Sequence, residues 1–273
     1  NVSAGNLIRR LIINPSNPQI LMAAASDGIW RTLNGGTSWT KVQVGYFMDL
    51  EFQPSNPDVV YASTMSWTGN SRIFRSTNSG GVFFVVETLP DVRRIDLAVS
   101  QNNPMLVDAL CANIDGGLAG LWYSNDGGSS FTQYFVGTNS NNLLNNKYNA
   151  SGAGGQGYYD LAYAINPTNA NDIWLGGINT WNSTDGGNNW FLKNMWNGST
   201  SLNPNGVPVV HADKHFIAFH PLQNGTMFEC NDGGIYKTTN AGASWTDLSN
   251  GLQISQMYRL GVSQSSTNNI ICG

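Results

Sequence analysis

Charged side chains are scarce in this sequence: they make up 11% of its 273 residues, and the formal net charge is −4. The basic residues form no cluster beyond two adjacent pairs, Arg9 with Arg10 and Arg93 with Arg94. A protein that binds nucleic acid or an anionic membrane needs a basic surface, so this composition argues against both partners. The 31 glycines and the 11% of aromatic residues favour short strands joined by tight turns.

Long apolar runs are absent as well, and cysteine is rare. No run reaches the roughly 20 residues that a membrane-spanning helix needs, so the sequence predicts no transmembrane segment. The three cysteines, Cys111, Cys230 and Cys272, lack the spacing of a metal site, and each lies in an apolar, strand-like run. We therefore predict unpaired thiols that pack as small hydrophobic side chains.

The sequence does contain an internal repeat. An eight-residue motif occurs five times, with Ser or Thr first, Asp or Asn third, Gly fifth and an aromatic residue eighth. The copies span residues 32–39, 76–83, 124–131, 183–190 and 238–245. Their spacing is about the length of one four-stranded propeller blade.

Each motif predicts a tight hairpin turn between the third and fourth strands of a blade. The short side chain of the third residue accepts hydrogen bonds from backbone N–H groups of the turn, and the fifth residue, glycine, supplies a positive φ. The aromatic residue is expected to be buried between sheets. The third residues therefore have a structural role, and they are Asn34, Asn78, Asp126, Asp185 and Asn240.

The predicted fold is all-β: a β-propeller of four-stranded antiparallel blades with these hairpins, five blades and part of a sixth. Residues 1–273 are interpreted as one propeller domain. Its blades are predicted at about 6–45, 46–90, 91–136, 158–194, 209–250 and, in part, 257–273. Because a propeller must close on itself to satisfy its edge strands, we expect the native protein to continue at both ends.

The five motifs resemble the Asp-box, or bacterial neuraminidase repeat, of propellers that include sialidases, sortilin-type receptors and xyloglucan-cleaving glycosidases. Two groups of segments carry a closer likeness: residues 155–161 (GQGYYDL) with 175–179 (LGGIN), and residues 210–215 (VHADKH) with 231–236 (NDGGIY) and 251–258 (GLQISQMY). Together they are similar to sortilin-like propellers of large secreted proteins in Bacteroidota, often exported by the type IX route. The resemblance implies an extracellular or outer cell-surface location and further domains on the same polypeptide.

Ligands of propellers usually bind at the mouth, where the first strands begin and the turns between second and third strands lie. His211, Asp213 and His215 alternate along a first strand predicted at 209–219, so they are expected to share one face. The neighbouring hairpin is expected to bring Asp213 beside Asp232. These groups suit a divalent metal ion, a hydrogen-bonded network between blades, or direct ligand contact, and all three interpretations stay open.

Aromatic and amide-rich segments are also expected at the mouth. Trp67 lies in a turn of the second blade, Trp196 lies in the connection 194–208, and the connection 137–157 is rich in Asn, Gly and Ser. Exposed aromatic rings beside amides suit a sugar or a peptide, but such segments are equally typical of simple connectors.

The first strands also place charges around the channel. Arg10, Asp49, Asp96 and Arg259 occupy equivalent positions of four strands. Groups of opposite charge at such positions are expected to pair, and such pairs are more often structural than catalytic.

A catalytic role would need two carboxylates across a cleft, as in a glycosidase. Asp27 resembles the position where xyloglucan-cleaving propellers carry a catalytic Asp, and Asp232 occupies the same turn of the fifth blade. An Asp-Gly pair is also what hairpin geometry selects, and the few arginines argue against a sialidase. We therefore expect a recognition or scaffold propeller that binds a glycan or an extracellular protein. The alternatives are a xyloglucanase-like glycoside hydrolase and a structural subunit of an extracellular assembly.

Overall fold

The computed structural model describes residues 5–252 with their side chains and the backbone of residues 260–262 and 270–272. The regular structure of these residues is β-strand, and no helix occurs among them. Five four-stranded sheets and one two-stranded sheet are formed, and the strands of each sheet lie in chain order. Neighbouring strands run antiparallel throughout. The predicted all-β fold with four-stranded antiparallel blades is thereby confirmed.

Each four-stranded sheet is one blade. Blade one contains β1 (Ile8–Ile13), β2 (Leu21–Ala25), β3 (Gly28–Thr32) and β4 (Thr40–Val44), and blade two contains β5 (Phe47–Gln53), β6 (Asn56–Thr64), β7 (Ser71–Ser76) and β8 (Phe84–Leu89). Blade three contains β9 (Val92–Val99), β10 (Val107–Asn113), β11 (Leu118–Ser124) and β12 (Thr132–Val136), and blade four contains β13 (Ala162–Asn166), β14 (Asn169–Gly176), β15 (Thr180–Ser183) and β16 (Phe191–Asn194). Blade five contains β17 (Lys214–Phe219), β18 (Met227–Asn231), β19 (Gly234–Thr238) and β20 (Thr246–Asp247). The two-stranded sheet is β21 (Leu260–Val262) and β22 (Ile270–Cys272).

The blades are arranged around a central channel. The first strand of each of the five blades contributes to a cavity of about 490 Å³ in this channel. The guanidinium carbon of Arg10, on β1, lies 5.2 Å from the centre of the Phe216 ring, on β17. Blades one and five therefore meet at the channel, and the five blades form a propeller.

The five motif copies form the same turn. The hydroxyl of the first residue donates to the side-chain oxygen of the third, at 2.7 to 3.0 Å. The same hydroxyl accepts a hydrogen bond from the N–H of the fifth residue. The third residue accepts a hydrogen bond from the N–H of the seventh. These bonds satisfy the backbone inside the turn and hold the third and fourth strands together.

The fifth residue of the motif also joins neighbouring blades. It is glycine in all five copies, with φ between 76° and 91°. A Cβ at Gly80 would overlap Met22 of the preceding blade, and one at Gly128 would overlap Tyr61. Glycine is therefore required by the backbone conformation and by the close approach of the next blade.

Burial of the aromatic eighth residue is less complete than the sequence predicts. Phe83 is buried, whereas Trp190 and Trp245 are only partly buried, each packed at the edge of a core cluster. The expectation of full burial is therefore wrong for these two tryptophans, and Trp39 and Phe131 are also only partly buried.

Two further expectations concern free cysteines and membrane-spanning segments, and both are compared here with the described residues. Cys111, on β10, and Cys230, on β18, are free thiols, as predicted, whereas the side chain of Cys272 lies outside the described residues. Nowhere in the described residues is there a helix of the length and hydropathy that crossing a membrane requires.

Candidate functional site

The candidate site lies at the mouth of the propeller, where the first strands begin. The motif turns lie at the opposite end, where they contact the turns between first and second strands. A cavity of about 300 Å³ opens at the mouth. It is lined by Arg9, Tyr46, Met48, Met65, Trp67, Arg94, Tyr158, Tyr159 and His215.

An aromatic shelf, defined here as Tyr46, Trp67 and Tyr158 with the intervening Arg93, forms one side of this mouth. The guanidinium carbon of Arg93 lies 4.6 Å from the ring centres of both Trp67 and Tyr158. Tyr46 meets Trp67 edge-on at 6.5 Å between ring centres. Trp67 nevertheless remains 63% exposed. An orientation fixed by neighbours, with a large apolar surface left in water, is characteristic of a binding surface.

Three polar side chains form the other side of the mouth. The Nε2 of His215 lies 2.7 Å from Oδ1 of Asp232. The hydroxyl of Tyr159 donates to both oxygens of the same carboxylate, at 3.1 and 2.9 Å. The hydrogen bond to Asp232, followed by burial, raises the pKa of Tyr159 to about 12. These contacts join blades four and five and hold polar groups facing the aromatic shelf.

Beneath them lies a pair of carboxyl groups from neighbouring blades. Asp160 is fully buried, and neither of its oxygens has a hydrogen-bond partner. Burial, followed by the negative charge of the nearby Asp213, raises the pKa of Asp160 to about 8, and Arg94 offsets only part of this. Burial therefore favours the protonated form of Asp160 near neutral pH, although this group lies directly behind the mouth.

The predicted alignment of His211, Asp213 and His215 on one strand face is wrong. The strand begins at Lys214, and Asp213 has a left-handed backbone with φ of 67°. The register with β18 also shifts between Lys214 and Phe216. As a result, His215, rather than Asp213, contacts Asp232.

The three side chains therefore diverge. The ring Nδ1 of His211 lies 3.2 Å from the carbonyl oxygen of Ala212. The negative charge of Asp213, in contrast, acts on Asp160, whose pKa it raises. In the part of the chain that the structure describes, no group of three or more His, Cys, Asp or Glu side chains is placed to hold a metal ion. The proposed metal set of His211, Asp213 and His215 is not assembled.

A buried lysine accounts for the break in the strand. Lys214 is fully buried, and its Nζ donates to the carbonyl oxygens of Ile178, at 3.0 Å, and His211, at 2.7 Å. It also lies 3.6 Å from Oε1 of the fully buried Glu229. The turn at Asp213 places the Lys214 ammonium within reach of the two carbonyl oxygens and the carboxylate. The alternation of side chains between the two faces of the strand therefore does not extend back to His211 and Asp213.

The second tryptophan and the Asn-rich connection do not join the aromatic shelf. Trp196 donates from Nε1 to the carbonyl oxygen of Asn146, at 3.3 Å. The connection around Asn146 is packed: Leu143 and Leu144 are buried in a core cluster, and the buried Asn142 donates to two backbone carbonyls. This segment is packed beside blades three and four, and its residues Ser140, Asn141, Tyr148 and Asn149 line a separate cavity of about 430 Å³.

The two carboxylates considered as a catalytic pair have separate partners. Asp27 accepts hydrogen bonds from Trp30, at 2.9 Å, and Lys41, at 2.5 Å, and lines neither the mouth cavity nor the channel cavity. Asp232 accepts its hydrogen bonds from His215 and Tyr159. Within residues 5–252, Asp27 and Asp232 therefore have no hydrogen-bond partner in common.

The channel below the mouth carries the predicted charge pairing. The Nε of Arg10 lies 3.4 Å from Oδ1 of Asp49, and Arg10 also forms an ion pair with Glu51. Burial raises the pKa of Glu51 to about 7 despite this pair. Burial and the negative charge of Asp49 raise the pKa of Asp96 well above its usual range. The pairing of Arg10 with Asp49 confirms the expectation, whereas Arg259 lies outside the described residues.

Several residues of the mouth are not identified by the sequence analysis as site residues. Tyr46, Arg93, Tyr158 and Asp160 come from three different blades and meet only through the propeller arrangement. The sequence does contain a sign of their position. Tyr46 directly precedes the first strand of blade two, and Tyr158 lies shortly before the first strand of blade four. Their common position at the mouth follows once those strand starts are known.

The fold has counterparts among solved structures. An ancestral enzyme of glycoside hydrolase family 74 (GH74) has a TM-score of 0.66 and 18% identity, and the match covers 100% of this chain and 35% of the enzyme. The GH74 xyloglucanase from Xanthomonas campestris has a TM-score of 0.60 and 16% identity over 86% of this chain and 38% of its own. YCF48 from Cyanidioschyzon merolae has a TM-score of 0.51 and 12% identity over 100% of this chain and 73% of its own.

At these identities the likeness shows the propeller fold alone. The chain spans about a third of the length of the GH74 enzymes that it matches. No protein-family model and no curated protein sequence matches the chain.

Proposed function

We propose that this chain is a recognition propeller of an extracellular or cell-surface protein and that it binds a polysaccharide at its mouth. The observation that carries the proposal is Trp67, which is 63% exposed while Tyr46 and Arg93 hold its ring in place. The extracellular or cell-surface location is part of the proposal.

The chemistry of the mouth fits a sugar chain on two sides. The apolar face of a sugar ring stacks on an exposed indole, and the shelf continues from Trp67 through Arg93 to Tyr158. Across the cavity, the half-exposed His215 and Asp232 offer polar atoms to sugar hydroxyls. A rigid aromatic surface facing fixed polar groups binds a sugar with little loss of conformational freedom in the protein.

The test begins with a polysaccharide and glycan array and continues with calorimetric titration of the glycan that binds. Trp67→Ala is expected to weaken binding about tenfold, because it removes the stacking surface. Tyr158→Ala is expected to weaken it less, since that ring is farther along the shelf.

Phe84→Ala is the matched control, because Phe84 is an aromatic residue that is 69% exposed on the outer strand of the same blade. Its affinity should equal that of the wild type. Equal affinities of Trp67→Ala and wild type, or the absence of any glycan that binds, would overturn the proposal.

Glycan hydrolysis is a second candidate, and the carboxyl pair of Asp160 and Asp213 favours it. A carboxyl pair that holds a proton at neutral pH has the chemistry of a general acid. Asp160 is fully buried and Asp213 is partly exposed, so a proton held by Asp160 would reach a glycosidic oxygen through Asp213, which would take up that proton as it releases its own. Release of reducing ends by the wild type and by Asp27→Asn, but not by Asp213→Asn, would establish this candidate and would identify Asp213 in place of Asp27.

A further inference from the structure

One structural position recurs in the second strand of every blade. The first residue of each motif pairs with a residue of the second strand, and the next residue along that second strand is the equivalent position. The five residues at this position are Met22, Tyr61, Asp108, Trp174 and Phe228. Four are large and apolar or aromatic, and one is a carboxylate.

The apolar residues at this position fill the space between blades. Met22 packs on Gly80 of blade two, Tyr61 packs on Gly128 of blade three, and Trp174 packs on Gly242 of blade five. Asp108 is too short to do the same between blades three and four. There, Gly187 is contacted by Tyr134 instead.

A cavity remains where the large side chain is missing. Its volume is about 270 Å³, and its walls include Asp108, Tyr123, Tyr134, Asn171, Ile173 and Asn188. The rings of Tyr123 and Tyr134 meet edge-on at 5.5 Å between their centres. Asn171 and Asn188 lie near and within the fourth motif, so the cavity is at the opposite end of the propeller from the mouth.

The carboxylate in this cavity has no cationic partner. Asp108 is only 3% exposed, and its Oδ2 accepts a hydrogen bond from the hydroxyl of Tyr163, at 3.2 Å. Among the described residues, no lysine, arginine or histidine forms an ion pair with it. Burial raises the pKa of Asp108 to about 7, and hydrogen bonds from the tyrosines lower it only in part. A buried carboxylate of this kind is stabilised by any cation that reaches it.

We propose that this cavity between blades three and four binds a primary alkylammonium group, with Asp108 as the counter-ion. The ring faces of tyrosines attract a cation, and the carboxylate accepts charge-assisted hydrogen bonds from its N–H groups. A primary ammonium has three such donors, whereas a quaternary ammonium has none. The ligand is either a free aliphatic amine or the side chain of a lysine in a peptide.

The experiment is a calorimetric titration of the whole chain with n-butylammonium and with Nα-acetyl-lysine methylamide. Binding of the first alone identifies a free amine, and binding of both identifies a lysine side chain as an accepted ligand. The neutral isostere n-butanol and the quaternary tetramethylammonium are expected to bind at least about tenfold more weakly, because they lack the charge or the donors.

Three variants make the test specific. Asp108→Asn keeps the shape and should weaken amine binding about tenfold or more, as expected for the loss of a charge-assisted hydrogen bond. Asp108→Leu should abolish binding and raise the melting temperature, since it restores an apolar contact like those of Met22, Tyr61 and Trp174.

Asp91→Asn is the control for loss of a carboxylate, because Asp91 is exposed in a left-handed turn that asparagine accepts. Equal amine affinities of wild type and Asp108→Asn, equal binding of butanol, or no amine binding at all would overturn the proposal.

Discussion

The sulfur of Met22, in blade one, packs directly against Gly80, the fifth residue of the motif in blade two. The contact leaves no room for a Cβ at Gly80, whose φ is 77°. One residue of the repeat therefore serves two purposes: it closes a turn within its own blade and receives a side chain of the blade before it.

Replacing this glycine should disrupt both functions. We expect Gly80→Ala to lower the free energy of unfolding by about 2–4 kcal/mol, from left-handed strain and from overpacking against Met22. Gly206→Ala is a matched control, because Gly206 has φ of 62° but no atom within reach of a new Cβ. It should cost only about 1–2 kcal/mol. Urea denaturation that gives equal losses for the two variants would contradict the contact between blades.

The motif turns with Asp should make stability depend on pH at the acid end. Hydrogen bonds from Asn189, then from Ser183, lower the pKa of Asp185 to about 2, and those from Ser130 and Ser124 hold the pKa of Asp126 well below its usual range. The unfolded value is near 3.9, so the stabilisation is present above about pH 4 and is lost as pH falls through the folded pKa. We therefore expect the double variant Asp126→Asn/Asp185→Asn to lose less melting temperature than the wild type between about pH 4 and pH 2.

Asp91→Asn is the control for this acid profile, since it removes an exposed carboxylate in a different turn. Its melting profile should follow that of the wild type. A double variant with the same acid slope as the wild type would show that these carboxylates contribute nothing beyond what asparagine does.

Asp160 should make stability depend on pH in the opposite direction, so that the protein becomes less stable as the pH rises. Its folded pKa of about 8 lies above the unfolded value, so the folded state holds a proton that the unfolded chain has released between about pH 4 and pH 8. Stability associated with this group therefore falls as pH rises through that window. We expect Asp160→Asn, which cannot ionise, to melt at a higher temperature than the wild type at pH 8–9 and to gain less at pH 4–5. A pH-independent difference between the two proteins would contradict a buried titrating carboxyl.

The buried pair of Lys214 and Glu229 should be costly to break and much less costly to replace as a pair. Removing only the cation by Lys214→Met leaves Glu229 charged and uncompensated, so we expect a loss of about 3–5 kcal/mol in the free energy of unfolding. The double variant Lys214→Met/Glu229→Gln should recover most of this loss, because Thr180 and Asn194 still donate to the remaining side-chain oxygen. Chemical denaturation of the two variants measures the difference, and a double variant as unstable as the single one would contradict it.

Local patterns made much of the fold predictable. The hydrogen bonds of the motif from Ser124 to Phe131 join residues at most four positions apart, so residue types in sequence are enough to predict the turn. The pairing of Arg10 with Asp49 was also predictable, although the two residues are far apart in sequence. The repeat places them at equivalent positions of adjacent first strands, and these positions meet at the channel. The first half of the strand predicted at 209–219 is not formed, for a non-local reason: Lys214 turns inward to meet Glu229 and Ile178, and the register is irregular between Lys214 and Phe216.

The sequence by itself determined the repeat, the turns, the order of strands and the end of the propeller at which a ligand-binding mouth is expected. Only the tertiary structure decided which side chains meet. Arg93 reaches Trp67 and Tyr158 because blades from distant parts of the chain pack together. For the same reason Asp108 lies beside a cavity in the space that Met22, Tyr61 and Trp174 fill in their own blades. The physical reason is that turns depend on hydrogen bonds between near neighbours, whereas sites depend on strand register and on the packing of one blade against the next.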